Sequence, residues 1–170
     1  MIKEGFDYVV SDQTKILILG TAPGMKSSEE KRYYQNANNK IWEAISSVVG
    51  ITINRNNYDS ILIETPIGLW DVFNKSEGES SKDSERNFHG VNEFEQVLDN
   101  YQIKYIIFNG NGRGKNGNQA LREFLGKYEE LLDRKGIKIF VLTSTSGNNR
   151  LKPKEKLRLW QNLLSLLIQK

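Results

Sequence analysis

The sequence predicts a single α/β domain, residues 1–170, in which a mostly parallel sheet carries helices on both faces. Three short apolar runs, Ile16–Leu19, Lys104–Asn109 and Ile137–Leu142, have the length and residue types of buried strands. Each runs into a loop of turn-forming residues: GTAPG after the first, GNGRG after the second, TSTSG after the third. Helical spacing resumes beyond each loop. Alternation of strand and helix is the mark of parallel pairing, because parallel neighbours need a crossover between them.

Taken in order, residues 1–14 read as a lead-in packed through Phe6 and Tyr8, and the first strand occupies about 15–20. From Asn39, residues Ile41, Trp42, Ile45, Val48 and Val49 recur at helical spacing, and Gly50 is a stop signal. The following NRNNYDS is rich in turn formers. Ile61–Ile63 fits either a short strand or a buried turn, and Thr65–Val72 is apolar but irregular, with Pro66 and Gly68 against regular structure. Asn74–Asn92 is the most polar stretch and reads as a long surface loop. Glu93–Tyr101 makes a short helix through Phe94, Val97 and Leu98, and a longer helix is expected at about 117–133. The last helix begins near Pro153, a favoured first-turn residue, with Leu157, Trp160, Leu163, Leu164 and Leu167 inward. There is no internal repeat and no linker.

Composition narrows the chemistry. At 170 residues the chain can bury a full core, and 38% hydrophobic with 26% charged residues is the balance of an ordinary soluble protein. No run is long and apolar enough to cross a bilayer, and the N-terminus lacks the layout of a secretory signal. The absence of cysteine excludes disulfides and thiolate chemistry, and one histidine, His89, cannot anchor a zinc cluster. A cytoplasmic protein with no metal and no organic cofactor is expected. The net charge of +3 is mild. Its distribution is not, since Arg150, Lys152, Lys154, Lys156 and Arg158 are opposed locally only by Glu155. That cluster fits either phosphate contact or a solvated helix start.

The strand-end loops are where chemistry can gather, because in a parallel sheet they share one edge. Any one of them is an ordinary turn by its residues. Neither a phosphate loop nor a dinucleotide fingerprint is present, and no Gly-x-Ser-x-Gly elbow occurs. With His89 the only histidine, serine hydrolase chemistry is poorly supported, and His89 itself reads as a surface residue.

Taken together, GTAPG, YYQNANNKIW, GLWDV followed by SSKDS, IIFNG and STSGNN resemble the uracil-DNA glycosylase superfamily, in family order from about residue 15 to 160. The nearest branches are the mismatch-specific (Mug-type) and hypoxanthine-DNA glycosylases. The resemblance implies a three-layer α/β/α fold around a mostly parallel four-stranded sheet, and a pocket for a flipped base formed by Thr21, Ala22, Pro23, Tyr34 and Asn109. Where the mismatch branch has a water-positioning Asn in the first motif, this chain has Ala22, which has no polar side-chain atom. The hypoxanthine branch also lacks a polar residue there and relies on an Asn before the helix, here Asn39, which has helix capping as its plain alternative. Tyr34 falls where an aromatic ring stacks on the extruded base. Tyr33 and Trp42 are core residues.

Asn109 corresponds to a base-reading Asn, with a loop cap as the alternative. The last motif implies phosphate contacts from Ser144, Ser146, Gly147, Asn148, Asn149, Arg150 and Lys152, with Asn148 or Arg150 as a wedge. Ser144 replaces a His or Asn of other branches. Asp83 matches an Asp-Ser of the hypoxanthine branch, with helix capping as its favoured role, and Asp71 reads as structural. The implied function is a monofunctional DNA glycosylase excising uracil or hypoxanthine in base-excision repair, acting as a monomer on DNA. The alternatives are a non-cleaving DNA or modified-base binder on the same fold and, less favoured, a small-molecule nucleoside enzyme.

Overall fold

The computed structural model describes residues 1–79, 85–111, 118–147 and 150–170. In chain order the strands and helices are β1 (Ile2–Glu4), β2 (Ile16–Gly20), α1 (Met25–Glu30), α2 (Ile41–Val49), α3 (Tyr58–Ile61), β3 (Ile67–Asp71), β4 (Phe73–Glu77), β5 (Asn87–Val91), α4 (Glu95–Asn100), β6 (Tyr105–Asn109), α5 (Gln119–Lys135), β7 (Lys138–Leu142) and α6 (Pro153–Ile168). A 3-10 turn at Leu62–Glu64 continues α3. The main sheet has the order β3-β2-β6-β7 with every pairing parallel. Its central strand β2 is buried along its whole length, as the unbroken ILIL run requires.

Helices flank this sheet. Phe94, just before α4, packs edge-on against Phe124 and Tyr128 of α5, and Phe124 in turn meets Phe108 of β6. Trp70 of β3 closes that cluster against Phe94, ring centroids 4.5 Å apart. α2 and α6 pack on each other. Trp160 and Leu164 of α6 are fully buried, as the helical spacing predicts, and Leu157 and Leu163 are half-buried beside them. Gly50 caps α2 in the left-handed conformation, and Pro153 opens α6.

Two expectations change, and one open alternative is decided. The Thr65–Val72 stretch, irregular by its residues, contains the buried strand β3. Pro66 stands just outside it, and its carbonyl accepts from Lys15 N and Ile16 N. Gly68 is there for close approach: a Cβ would lie 2.8 Å from Thr14 Cγ2, Val10 Cγ1 and the Val9 carbonyl. The polar stretch Asn74–Asn92 is not one long loop. β4 and β5 pair antiparallel within it, and β1 adds to β4, forming a second, three-stranded sheet. The buried residues of β4 and β5 are Phe73, Ser76 and Phe88, so the paired strands bury few apolar side chains. Ile61–Ile63 resolves as helical turn rather than strand.

Candidate active site

β2 ends at Gly20, where two side chains touch the backbone. A Cβ at this position would stand 2.4 Å from Asp71 Oδ1 and 3.3 Å from Tyr34 Oη. Asp71, at the end of β3, is 3% exposed. The head of β2 is therefore walled by a buried carboxylate and a phenol. Tyr34 has φ +48°, left-handed backbone that a bulky residue adopts at a cost of roughly 1–3 kcal/mol. Its surroundings hold it there. Trp42 Nε1 donates to the Tyr34 carbonyl at 3.1 Å, and the two rings meet edge-on at 5.9 Å. Trp42 stacks on Tyr58 at 4.7 Å, and Tyr33 is buried beside them, so both behave as the core residues expected.

The loop after β2 is tied back by its carbonyls. Val72 N–H donates to Gly20 O and Phe73 N–H to Thr21 O. Ala22 is half-buried against the core, and Pro23 is buried. The Pro23 carbonyl accepts from Arg86 Nη2 at 2.6 Å, and the same nitrogen donates to Ser76 Oγ in the small sheet. Arg86 is 3% exposed, and its guanidinium lies over the Phe88 ring.

Asn39 precedes α2, whose N-cap is Lys40, and its Oδ1 accepts from Ile41 N at 3.0 Å, an Asx turn leading into the helix. Nδ2 and the second lone pair of Oδ1 are not consumed by that bond. The adjacent Lys40 N–H donates to the Thr145 carbonyl at 3.0 Å, which joins the loop before α2 to the loop after β7. Gly147 reinforces the junction, since a Cβ there would stand 3.2 Å from Asn38 Cβ. Asn109, at the end of β6, exchanges two bonds with Thr145: its Nδ2 donates to Oγ1, and its Oδ1 accepts from the Thr145 N–H, both at 2.9 Å. One amide hydrogen and one lone pair of Asn109 lie outside that exchange.

The motif residues are thus assembled at the carboxyl end of the main sheet. Gly20 meets Tyr34, Tyr34 meets Trp42 on the helix that Asn39 precedes, Lys40 meets Thr145, and Thr145 meets Asn109 on the strand beside β2. Ser144 Oγ accepts from Ser146 N at 3.1 Å within the last loop. Arg150 and Lys152 are exposed beyond it, and Lys152 is the N-cap of α6. Asn148, Asn149 and Asp83 lie outside the described residues. His89 is a surface residue of β5, 3.8 Å from Glu77 Oε2.

Sequence reasoning reads Asp71 as structural, counts Lys156 only as one of a basic cluster, and passes over Arg86. Lys156 is 2% exposed, and its ammonium donates to the Ser146 carbonyl. Burial, with the nearby Lys40 charge, lowers its pKa from the ordinary lysine value. The available signals were a carboxylate ending an apolar run and a lysine four residues before Trp160 on the inward side of α6. Both need the tertiary structure to be read.

Comparison with known proteins agrees with this arrangement. The model of the uracil DNA glycosylase superfamily matches residues 6–164. A hypoxanthine DNA glycosylase of Methanosarcina barkeri (strain Fusaro / DSM 804) is 32% identical over 164 residues, covering 94% of this chain and 96% of the relative. The hypoxanthine DNA glycosylase of Methanosarcina acetivorans is 33% identical over 165 residues, 95% and 97% of the two chains. The solution NMR structure of a uracil DNA glycosylase candidate from Methanosarcina acetivorans superposes with a TM-score of 0.75 at 32% identity, covering 98% of this chain and 99% of that one. With motifs, fold and near full-length similarity in agreement, the chain belongs to the uracil DNA glycosylase superfamily.

Proposed function

We propose that this protein is a monofunctional DNA glycosylase that hydrolyses the N-glycosidic bond of a deaminated base in DNA, hypoxanthine first and uracil second, as the initiating step of base-excision repair. The observation that carries the reading is the junction of Asn39–Lys40, Thr145 and Asn109 at the strand ends beside Tyr34, within a chain similar along its length to two proteins named hypoxanthine DNA glycosylase.

The chemistry follows from the arrangement. A base cannot be attacked within the stack, so the nucleotide is extruded into the pocket, where Tyr34 offers a ring face to it. C1′–N cleavage leaves the bonding pair on the base and positive character on the sugar. The Asn109 amide and backbone N–H groups of the Thr21–Gly24 loop stabilise the base anion. The Asn39 amide holds the water whose oxygen bonds C1′, and a water proton ends on the departing base. The bond from Ile41 N and water positioning are compatible for Asn39, because that bond fixes the amide plane that the water needs. DNA phosphates assist the sugar cation, so the reaction calls for no metal and no organic cofactor. The protein acts as a monomer in the cytoplasm.

Ala22 favours one rival, a binder that does not cleave. Base release decides between the two. Duplex and single-stranded oligonucleotides carrying hypoxanthine, uracil, xanthine or a G·T mismatch are incubated with wild type, Asn39→Ala and Asn109→Ala. Release of hypoxanthine by wild type is expected, reduced on the order of 10²-fold or more by Asn39→Ala. No release from any substrate despite DNA binding would establish the binder. Activity surviving Asn39→Ala would remove that residue from the mechanism.

A further inference from the structure

Lys156 is difficult to explain as a stability device. It stands in the first turn of α6, where a cation meets the unfavourable end of the helix dipole. It is 2% exposed, and among the described residues no carboxylate pairs with it. The nearest charge acting on it is another cation, Lys40, which is itself paired with Glu43 at the surface. Glu155, beside it in sequence, is exposed. A buried charge without a counter-charge is costly, and an apolar residue of similar volume is often at least as stable.

What Lys156 contacts suggests its use. Its ammonium donates to the Ser146 carbonyl, and one turn further along α6 Trp160 Nε1 donates to the Thr143 carbonyl at 2.9 Å. The Thr145 carbonyl is taken by Lys40 N. Three carbonyl oxygens of the loop after β7 are therefore bonded by protein donors from α6 and the start of α2. Carbonyl oxygens repel phosphate oxygens, so tying them back and placing a cation behind them biases the loop toward anions.

We propose that Lys156 is a positioning residue for DNA, holding the Ser146 carbonyl inward and setting a positive charge behind the 143–147 loop so that the loop's outer face accepts a backbone phosphate. The counter-charge that no described carboxylate supplies comes from the bound nucleic acid. The inference rests on the DNA glycosylase reading and concerns binding rather than the bond-breaking step.

The test uses the full chain and a duplex oligonucleotide with one hypoxanthine, with an undamaged duplex of the same sequence beside it. Binding is titrated between about 50 and 200 mM salt for wild type, Lys156→Met, Lys156→Gln and Lys156→Arg. Methionine removes donor and charge, glutamine keeps a donor without charge, and arginine keeps the charge. Lys156→Met and Lys156→Gln are expected to reduce the slope of log affinity against log salt by about one and to weaken binding roughly tenfold at low salt. Single-turnover release at saturating DNA stays within about threefold of wild type, a KM effect without a kcat effect. Lys156→Arg keeps the wild-type slope. Thermal melting of Lys156→Met is expected at or above wild type. An unchanged slope in Lys156→Gln would overturn the proposal, since the charge would then be inert. If Lys156→Met does not fold, glutamine and arginine carry the comparison by themselves. A wild type that neither binds in a salt-dependent way nor releases any base would instead refute the glycosylase reading.

Discussion

At residue 20 the space for a side chain is already occupied by the Asp71 carboxylate, 2.4 Å from where a Cβ would stand, with the Tyr34 phenol close behind. Gly20→Ala must push one of these groups aside, at a cost of about 1–3 kcal/mol in a urea melt. The displacement falls on the pocket wall, so single-turnover base release should drop on the order of tenfold or more at protein concentrations where the variant is folded. Release at the wild-type rate would show that Asp71 and Tyr34 do not shape the base site. The residue scale is also where the sequence was most legible. Tyr34 and Asn39 stand in one stretch with the first loop, and the resemblance of that stretch to a family motif is what singles them out. Asp71 and Lys156 did not announce themselves. A carboxylate after Trp70 or a lysine among helix polar residues acquires meaning only from distant partners, here Gly20 and the Ser146 carbonyl.

The small antiparallel sheet is an element with a task, because β4 and β5 deliver Ser76 and Arg86 to the underside of the first loop. Arg86→Met leaves the buried Pro23 carbonyl and the Ser76 hydroxyl without that donor and should cost at least about 1–3 kcal/mol in chemical denaturation. Base release should fall further than stability does, since the loop released is the one proposed to meet the base. A second link between elements joins the chain after α1 to α3. The Arg32 guanidinium holds both Asp59 oxygens at 3.1 Å and keeps the Asp59 carboxyl below its ordinary range. A carboxyl lowered by folding contributes stability above its unfolded value of about 3.9, and that contribution disappears as pH falls through the folded value. Asp59→Asn should therefore lower the melting temperature slightly at pH 7, the carboxylate being half exposed, and the difference should vanish in strong acid. Equal differences at both pH values would refute the pairing as its source. Helices were easier to foresee than this sheet. α2, α5 and α6 repeat their apolar residues at a helical period. β3 follows a proline and carries a glycine for local packing reasons, and β4 and β5 bury too few residues to alternate visibly.

Across the whole molecule, the parallel order β3-β2-β6-β7 follows from strand–loop–helix alternation, and it brings separate motifs to one edge. Charge patterning pointed to the same edge, since the basic stretch from Arg150 begins where the last loop ends. What sequence could not supply was the wiring between loops: the Asn109–Thr145 exchange and the Lys40–Thr145 bond depend on side chains whose neighbours are set only by the closed sheet. That wiring has a kinetic consequence. Bonds between positions so far apart in the chain form only after the loops between them have closed, the slow part of folding for a sheet of this topology. A nascent or partly refolded chain can hold β2 and its glycine loop and still lack a working centre. On dilution from urea, enzymatic turnover should return with the slowest refolding phase, after helical circular dichroism has recovered, so that a chain with its helices formed is still inert toward DNA.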